Sequence, residues 1–444
     1  MGLSAWKAYR DSRWALRVNP SSGNLHPTEA YVVHDGHVLH YAPREHAVEE
    51  RAVLPDGAWA AFLGGGNGFL VALTSIQWRE AWKYGERAFR YCQHDVGHAI
   101  AAMRLSASLF GWTLRLLPEW SDEQIAAVLG VDRDEDRGGA EPEHPECVAL
   151  VAAPGQWRAG DPAPLVAAAR RAAWRGRANV LSQGHDEWPI IERVTEATKY
   201  SGQLPTSNSQ RPTPKQPDAH ESGVHFARAL ILQRRSALAF DGQTSLGRDR
   251  FIAMLARLQP AAPPFDAFDW RPHVHLALFV HRVEGLVPGV YAYLRDSAVL
   301  GEWRSGMRSQ FLWEPVADHL FLLLPLDVRW AANRVSCDQE IASDGYFSLG
   351  MIARLASALR DRGESFYRRL FWECGAIGQV LYLEAEAAGS RGTGIGCFYD
   401  DAVHELLGLT GDEWQSLYHF SMGKAVDDPR LTTEPGYSWE AAAK

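Results

Sequence analysis

The hydrophobic positions along the chain follow two periodicities, which predict helices and strands in mixed order. Stretches at about 88–110 and 366–388 repeat apolar residues with the helical period, and a glycine follows the end of each. Short β-branched and aromatic runs predict strands at 29–34, 37–41 and 69–75 in the first half, and at 273–281, 288–294 and 319–325 in the second. Strands mixed with long helices in this way favour an α+β fold.

The two halves of the chain are related in sequence. Residues 85–131 align with 363–409 at a constant offset of 278 and without a gap, and ten of the 47 aligned positions are identical. Average residue usage gives roughly three. The identical pairs include Arg90/Arg368, Gly97/Gly375, Gly111/Gly389 and Asp122/Asp400, the last in the N-cap region of a short predicted helix. We therefore expect one α+β fold present twice, with the copies packed as an intramolecular pseudo-dimer.

A polar segment separates the copies. Residues 202–222 are rich in Pro, Ser and Gln and nearly free of large apolar side chains, which is typical of a linker or a wrapping segment. We predict a first copy over 1–181, a linker over 182–222 and a second copy over 223–440.

Composition limits the class of protein. The chain has 444 residues, is 46% hydrophobic and 22% charged, and carries a formal net charge of −9, so we expect an ordinary globular protein with no nucleic-acid partner. No apolar run has the length of a membrane span, and the N-terminus lacks a signal-peptide pattern. Five scattered cysteines without C-x-x-C spacing favour a reducing, cytoplasmic compartment.

Three motifs break the repeat. Residues 392–397 read GTGIGC where the first copy has LRLLPE at 114–119, and glycines let backbone N–H groups approach a ligand. Residues 232–240, LQRRSALAF, are predicted on a helix, whose start would suit a phosphate; a solvated charged turn is the alternative. NPSSGN at 19–24 is either a turn that opens a strand or a loop lining a flat polar ligand. A single composite site between the copies explains all three asymmetries.

These motifs resemble the flavin-dependent nitroreductase superfamily in a tandem-fused form. In that family two subunits bind FMN in the cleft between them. The resemblance places the FMN phosphate against the second copy's RRS motif, with Lys424 as a further cation, and the flavin's pyrimidine edge on the first copy's PSSGN loop. The implied cofactor-binding residues are Arg234, Arg235, Ser236, Pro20, Ser21, Ser22, Asn24, Gly394, Ile395, Gly396 and Lys424. Compared with the family, the first copy lacks the opening helices.

Within the superfamily, the stretch WKYGERAFRYCQHDVGH at 82–98 looks like the SagB-type dehydrogenases, which oxidise azoline rings in modified peptides. The resemblance implies that Lys83 and Tyr84 are catalytic and move the proton that accompanies hydride transfer. From the residues alone, a lysine–tyrosine pair at a helix entrance is also typical of side-chain packing.

Two further patterns invite a ligand. His94 and His98 have the i, i+4 spacing of a metal pair, but no third ligand is apparent, so we expect no metal and a place between the copies. GGGNG at 64–68 lacks the Lys-Ser/Thr of a phosphate loop and precedes a predicted strand, which indicates a turn.

The expected function is therefore a two-electron FMN-dependent oxidoreductase, SagB-like, acting on a small molecule or a modified peptide. An NAD(P)H-dependent nitro or quinone reductase is the second reading. A flavin-binding scaffold subunit of a peptide-modifying complex is the third. We expect a monomeric pseudo-dimer or a higher homo-oligomer.

Overall fold

The computed structural model describes residues 1–55, 57–156, 158–202 and 221–438. Its strands are β1 Leu3–Tyr9, β2 Ser12–Arg17, β3 Thr28–His34, β4 His37–Ala42, β5 Ala47–Val53, β6 Phe69–Ser75, β7 Thr113–Leu116, β8 His144–Ala152, β9 Val274–Val280, β10 Gly289–Tyr293, β11 Glu314–Ala317, β12 Leu320–Pro325, β13 Phe347–Arg354, β14 Arg391–Ile395, β15 Trp414–Gly423 and β16 Thr432–Pro435. Its helices are α1 Ala58–Leu63, α2 Trp78–Tyr84, α3 Ala88–Leu109, α4 Asp122–Leu129, α5 Asp134–Arg137, α6 Ala163–Ala169, α7 Pro189–Ala197, α8 Glu221–Gln233, α9 Arg248–Ala256, α10 Leu300–Gly306, α11 Arg329–Val335, α12 Ile341–Asp344, α13 Ala356–Arg362, α14 Phe366–Ala387 and α15 Asp400–Leu407.

Each copy contains one antiparallel sheet, and the two sheets share a strand order. The first runs β5-β4-β3-β6-β8-β7, and the second runs β11-β12-β10-β9-β13-β15-β14 with β11 as an added edge strand. All six predicted strands are present, and so are both long helices. The predicted α+β fold in two copies is confirmed. Sequence reasoning did not identify β13 and β15, which are central in the second sheet.

The sequence repeat is also a structural repeat. The helix pairs α2/α13, α3/α14 and α4/α15 begin and end at residues that differ by 278 in every case. The glycines predicted to end the long helices, Gly111 and Gly389, have φ of 69° and 65°, as expected for the left-handed residue after a helix.

The long helices cross at a pair of repeat-related glycines. A Cβ on Gly97 would lie 2.2 Å from the Trp372 carbonyl oxygen, and one on Gly375 would lie 2.2 Å from the His94 carbonyl oxygen. No larger residue fits there without separating the helices. A hydrophobic core that spans both copies surrounds this crossing and includes Val96 from α3. The copies therefore pack as a pseudo-dimer.

Two ion pairs join the copies reciprocally. Arg368 of α14 binds Asp122 at the start of α4 with N–O distances of 2.9 and 2.8 Å. Its counterpart Arg90 binds Asp400 at 3.2 Å. This is the exchange of contacts expected across a two-fold axis. The N-cap of α4 is Ser121, whose hydroxyl accepts a hydrogen bond from the Gln124 N–H. Asp122 and Asp400 are therefore the first residues of their helices, and their carboxylates bind the arginine of the other copy.

The segments around the copies have their own structure. Strands β16, β1 and β2 form a separate three-stranded sheet that joins residues from the two ends of the described chain. Helix α7 lies inside the predicted linker 182–222, and residues 203–220 of that linker lie outside the described residues. The predicted domain boundaries stay predictions.

Candidate active site

A cavity of about 520 Å³ lies where the two copies meet. The first copy contributes the 19–24 loop, Tyr84 and Asp95; the second copy contributes the segment 234–238 and the glycine-rich segment 393–397. The three motifs that break the repeat therefore line one cavity, as the composite-site hypothesis requires. The volume lies within the range of about 300–1,000 Å³ that is typical of small-molecule sites.

The 19–24 loop is held by hydrogen bonds to neighbouring residues of the first copy. The Asn24 side chain donates to the Ala15 carbonyl at 2.8 Å and its amide oxygen lies 2.9 Å from a ring nitrogen of His26. The Ser21 hydroxyl accepts from the His26 N–H at 2.8 Å. Gly23 has φ of 58°, in the left-handed region that favours glycine. Pro20 and Ser22 also line the cavity.

Two buried carboxyl groups lie behind this loop. The Ser21 hydroxyl donates to Glu80 at 3.3 Å, and the neighbouring Asp95 lines the cavity with its Oδ2 atom unpartnered. Burial raises the pKa of Asp95 well above its ordinary range, against hydrogen bonding from Ser21 and the charge of Arg17. Burial, and then the charge of Asp95, also raise the pKa of Glu80. The pair therefore holds a proton at neutral pH.

The Arg-Arg-Ser motif lies beyond the C-terminal end of α8, not at a helix start. Helix α8 ends at Gln233, so the expectation that these residues begin a helix was wrong, and no N-terminal helix dipole acts on a ligand here. Arg234 is 4% exposed and donates to the carbonyls of Val18 and Arg17 in the first copy at 2.9 and 3.1 Å. Its Nη1 atom has no hydrogen-bond partner in the described structure, so one donor remains for a ligand.

Positive charge collects in the cavity. Lys7, Arg235 and Arg391 all line it. The pKa of Lys7 is lowered by burial and then by the charges of Arg235 and Arg391, so these cations repel one another. Asp427 offsets part of this charge through its ion pair with Arg391. An anionic group such as a phosphate would relieve the remaining repulsion.

The glycine-rich segment accommodates tyrosine rings. A Cβ on Gly394 would lie 1.9 Å from the Tyr418 hydroxyl, and one on Gly396 would lie 2.4 Å from the Tyr91 ring. The Gly394 N–H donates to the Tyr382 hydroxyl at 2.8 Å, which also lies 3.0 Å from the Ser236 hydroxyl. Gly394 therefore does not offer a free N–H to a ligand. Ile395, between the glycines, also lines the cavity.

Lys83 and Tyr84 lie beside Gly23 of the 19–24 loop, but Lys83 is exposed and, unlike Tyr84, is not part of the cavity lining. The Tyr84 hydroxyl and the Lys83 ammonium lie 2.6 and 2.9 Å from the point where a Cβ on Gly23 would stand. The Lys83 ammonium is 5.2 Å from the Tyr84 ring centroid. Tyr84 itself lines the cavity. The structure thus brings both predicted catalytic groups to the predicted pyrimidine-edge loop.

Lys424 does not join them. Its ammonium donates to the Gly389 carbonyl at 3.2 Å on an exposed part of the surface, and it is absent from the cavity lining.

The two patterns that invited a ligand have structural roles. His94 and His98 lie between the copies: a ring nitrogen of His94 donates to the Leu417 carbonyl at 3.1 Å, and His98 lies 3.2 Å from the Gln379 amide oxygen. Within the described residues, no group of three or more His, Cys, Asp or Glu side chains is placed to hold a metal ion. The GGGNG stretch ends α1 and leads into β6, which confirms the predicted turn. No helix in the described part of the chain is long and apolar enough to cross a membrane.

Sequence reasoning missed several cavity residues, namely Lys7, Trp14, Leu16, Arg17, Asn19, Tyr91, Asp95, His98, Tyr382, Arg391, Thr393 and Tyr418. Some of them adjoin motifs that were recognised: Asn19 precedes PSSGN, and Arg391 precedes GTGIG. The tyrosines carried no local signal, because ordinary strand and helix positions bring them to the cavity.

The donor set fits a flavin nucleotide. Asn19, 2% exposed, has an unpartnered amide oxygen that suits a ring N–H, and Arg234 Nη1 suits a ring carbonyl or a phosphate oxygen. The grouped cations Lys7, Arg235 and Arg391 suit the phosphate.

Comparison with known proteins identifies the family of the chain. The sequence matches the nitroreductase family over residues 10–140 and 280–424, once in each copy. The chain therefore belongs to the nitroreductase family. No curated protein gives a significant match.

Similar solved structures include a putative nitroreductase from Anabaena variabilis, at 21% identity and a TM-score of 0.69, covering 96% of this chain and 86% of that one. At this identity the likeness shows the shared fold. A putative nitroreductase from Ralstonia eutropha covers 51% of this chain and 94% of its own, at 16% identity and a TM-score of 0.33. The match to a chain of the Escherichia coli microcin synthetase McbBCD complex covers 50% of this chain and 79% of that chain, at 18% identity and a TM-score of 0.34.

Proposed function

We propose that the chain is an FMN-dependent oxidoreductase that binds one flavin in the cavity between its copies. The observation that carries this proposal is the polar lining of the cavity: the cations Lys7, Arg235 and Arg391 are grouped there, and Asn19 and Arg234 each present an unpartnered polar atom. Bound FMN supplies two-electron chemistry by exchanging a hydride at its N5 atom.

The second copy binds the phosphate. Arg235 and Arg391, together with Lys7 of the first copy, line the cavity and would hold the phosphate, and Ser236 would contribute a hydroxyl. Arg234 has a different part from the one its motif predicts: it fastens the start of the second copy to the carbonyls before the 19–24 loop and offers one remaining donor. Lys424 takes part only if its side chain leaves the Gly389 carbonyl.

The first copy positions the flavin ring and handles protons. Asn19 and the 19–24 loop orient the pyrimidine edge, and Asn24 and Ser21 keep that loop in shape. Of the glycine-rich segment, the backbone from Ile395 to Gly396 would face the flavin ring, since the Gly394 N–H is already bonded to Tyr382. Lys83 and Tyr84, beside Gly23, hold or move the proton that accompanies hydride transfer.

We further propose that the reaction runs as a SagB-like dehydrogenation of an azoline or related ring, in a small molecule or a modified peptide, with dioxygen reoxidising the flavin. Tyr84 lines the cavity and the Lys83 ammonium lies beside it at Gly23, which supports this direction. An NAD(P)H-dependent reductase is distinguished by its absorbance assay, because it oxidises NAD(P)H when a nitro compound or a quinone is supplied as the acceptor. A scaffold subunit binds flavin and turns over neither substrate class.

The test is flavin retention in the Arg234→Ala/Arg235→Ala variant. We expect it to purify with little FMN and to rebind it at least tenfold more weakly than the wild type. Arg170→Ala/Arg171→Ala is the matched control, because this adjacent arginine pair is exposed and outside the cavity.

Arg234 also fastens the copies, so Arg391→Ala serves as a second variant, because Arg391 is partly exposed and its ion pair is with the exposed Asp427 of the same copy. Unchanged FMN affinity in a folded Arg391→Ala protein, together with unchanged FMN content in the double variant, would contradict the phosphate assignment.

A further inference from the structure

Two cysteines from distant parts of the second copy meet at the rim of the cavity. The sulfur atoms of Cys337 and Cys397 are 2.8 Å apart, although 60 residues separate them in the chain. Cys397 is exposed, lines the cavity and directly follows Gly396. Cys337 is partly buried in the turn that follows α11. Both thiols are free.

The backbone holds the two cysteines in place without a covalent bond. The Tyr399 N–H donates to the Val335 carbonyl at 2.9 Å, which joins the two segments two residues away from each sulfur. The Gln339 amide donates to the Ser336 and Cys397 carbonyls at 2.7 and 3.1 Å. A disulfide bond needs sulfurs about 2.05 Å apart, so a movement of under about 1 Å closes the pair.

The remaining cysteines cannot take part. Cys92, Cys147 and Cys374 are all buried, and burial raises the pKa of each thiol. A solution reagent therefore meets Cys397 first.

We propose that Cys337 and Cys397 form a redox-active dithiol at the cavity rim, which a small-molecule disulfide converts into an intramolecular disulfide. The proposal rests on the geometry of the two thiols and needs no bound flavin. It makes this rim a thiol-exchange site separate from the hydride-transfer chemistry.

The exchange takes place in two balanced steps. The Cys397 thiolate attacks one sulfur of the small disulfide, forms a mixed disulfide and releases one small thiol. Cys337 then loses its proton and attacks the Cys397 sulfur, which releases the second small thiol. One external disulfide is reduced to two thiols while the protein loses two thiol hydrogens.

The order of attack follows from exposure. Burial, and then the hydrogen bond with Cys397, raise the pKa of Cys337 to about 12, so this thiol stays protonated until its partner has reacted. Cys397 is the attacking residue and Cys337 the resolving one. The resulting bond ties the residue after Gly396 to the turn that carries Gln339, which also lines the cavity.

The experiment treats the purified full-length chain with oxidised glutathione, in flavin-loaded and flavin-free samples, and counts thiols after denaturation by alkylation and intact mass. The chain has five cysteines. We expect three alkylated thiols, no retained glutathione, a Cys337–Cys397 linked peptide in the digest, and recovery of all five thiols with dithiothreitol. Five thiols after oxidation, or a stable glutathione adduct on the wild type, would overturn the proposal.

Two matched variants separate the roles. Cys337→Ser is expected to keep one glutathione on Cys397, because no resolving thiol is present. Cys397→Ser is expected to gain no glutathione on the same timescale. Equal adduct formation in both variants contradicts the assigned order, and the wild-type digest decides the proposal even if a variant folds poorly.

Discussion

Truncating Arg368 is expected to destabilise the pseudo-dimer far more than truncating its repeat counterpart Arg90. The Arg368 guanidinium donates to both oxygens of Asp122 at 2.9 and 2.8 Å, to the Pro145 carbonyl at 3.2 Å and to Glu146 at 3.4 Å. The side chains of Arg368, Asp122 and Glu146 are 8%, 8% and 1% exposed. Arg90 instead bonds a single oxygen of Asp400 at 3.2 Å and also interacts with Tyr367, and the side chains of Arg90 and Asp400 are 38% and 29% exposed.

The magnitudes follow from this difference in burial. Arg368→Ala leaves two carboxyl groups buried without their cation, which typically costs about 3–5 kcal/mol of unfolding free energy. Arg90→Ala removes a single ion pair whose side chains remain partly in contact with solvent, and it should cost about 1 kcal/mol. Burial raises the pKa of Glu146 to about 7 even with Arg368 present. Without the arginine this carboxyl is protonated over a wider pH range, so the loss is smaller at pH 5 than at pH 8.

The assay is urea unfolding followed by tryptophan fluorescence, at both pH values, for the wild type, the single variants Arg368→Ala, Arg90→Ala and Asp122→Ala, and the double variant Asp122→Ala/Arg368→Ala. The loss in the double variant should be smaller than the sum of the Arg368→Ala and Asp122→Ala losses, because Asp122 is no longer left as an unpaired buried charge and only Glu146 is. Equal losses for Arg368→Ala and Arg90→Ala, or additive losses in the cycle, would refute this account of the interface.

Three further outcomes are expected. Gly394→Ala places a methyl group 1.9 Å from the buried Tyr418 hydroxyl, so it should cost about 1–3 kcal/mol in urea unfolding; an unchanged midpoint contradicts that packing. Burial opposes the charged form of His40, but the hydrogen bond and charge of Glu29 outweigh it and raise the pKa of His40 to about 9. His40→Gln should therefore cost up to about 3 kcal/mol of unfolding free energy below pH 6.5, and progressively less as the pH rises through 9. A cost that does not change with pH refutes this. Asp95, whose pKa burial raises, should make wild-type stability fall as the pH rises above the ordinary carboxyl range, and Asp95→Asn should flatten that slope; parallel pH profiles contradict the buried proton.

The repeat was the strongest predictor of the fold. Identical residues at an offset of 278 identified helix pairs whose bounds repeat with that offset, because the buried helix faces that join the copies retain the same residues. The pairs Arg90/Arg368 and Asp122/Asp400 were visible as identities, but their reciprocal bonding depends on the packing of the two copies. The strands β13 and β15 were missed because their fully buried runs lack the alternation that marks a half-exposed strand.

The candidate site was predictable where residues cluster in sequence. PSSGN, RRS and GTGIG were found as breaks in the repeat, and all three line the cavity. The prediction that Arg234 begins a helix was wrong. Its role was also not predictable, because local sequence does not show that its guanidinium donates to backbone carbonyls of the other copy. Asp95 and Tyr418 lie on elements that any core would contain, so only the three-dimensional arrangement marks them.

The most direct test of the central claim is the flavin content of the purified chain. The visible absorption spectrum is recorded after incubation with FMN and gel filtration, and the flavin released by denaturation is then quantified against protein. One composite cavity between two copies predicts about one FMN per chain. Two FMN per chain would mean that each copy has its own site, and no retained FMN would remove the flavin from the account.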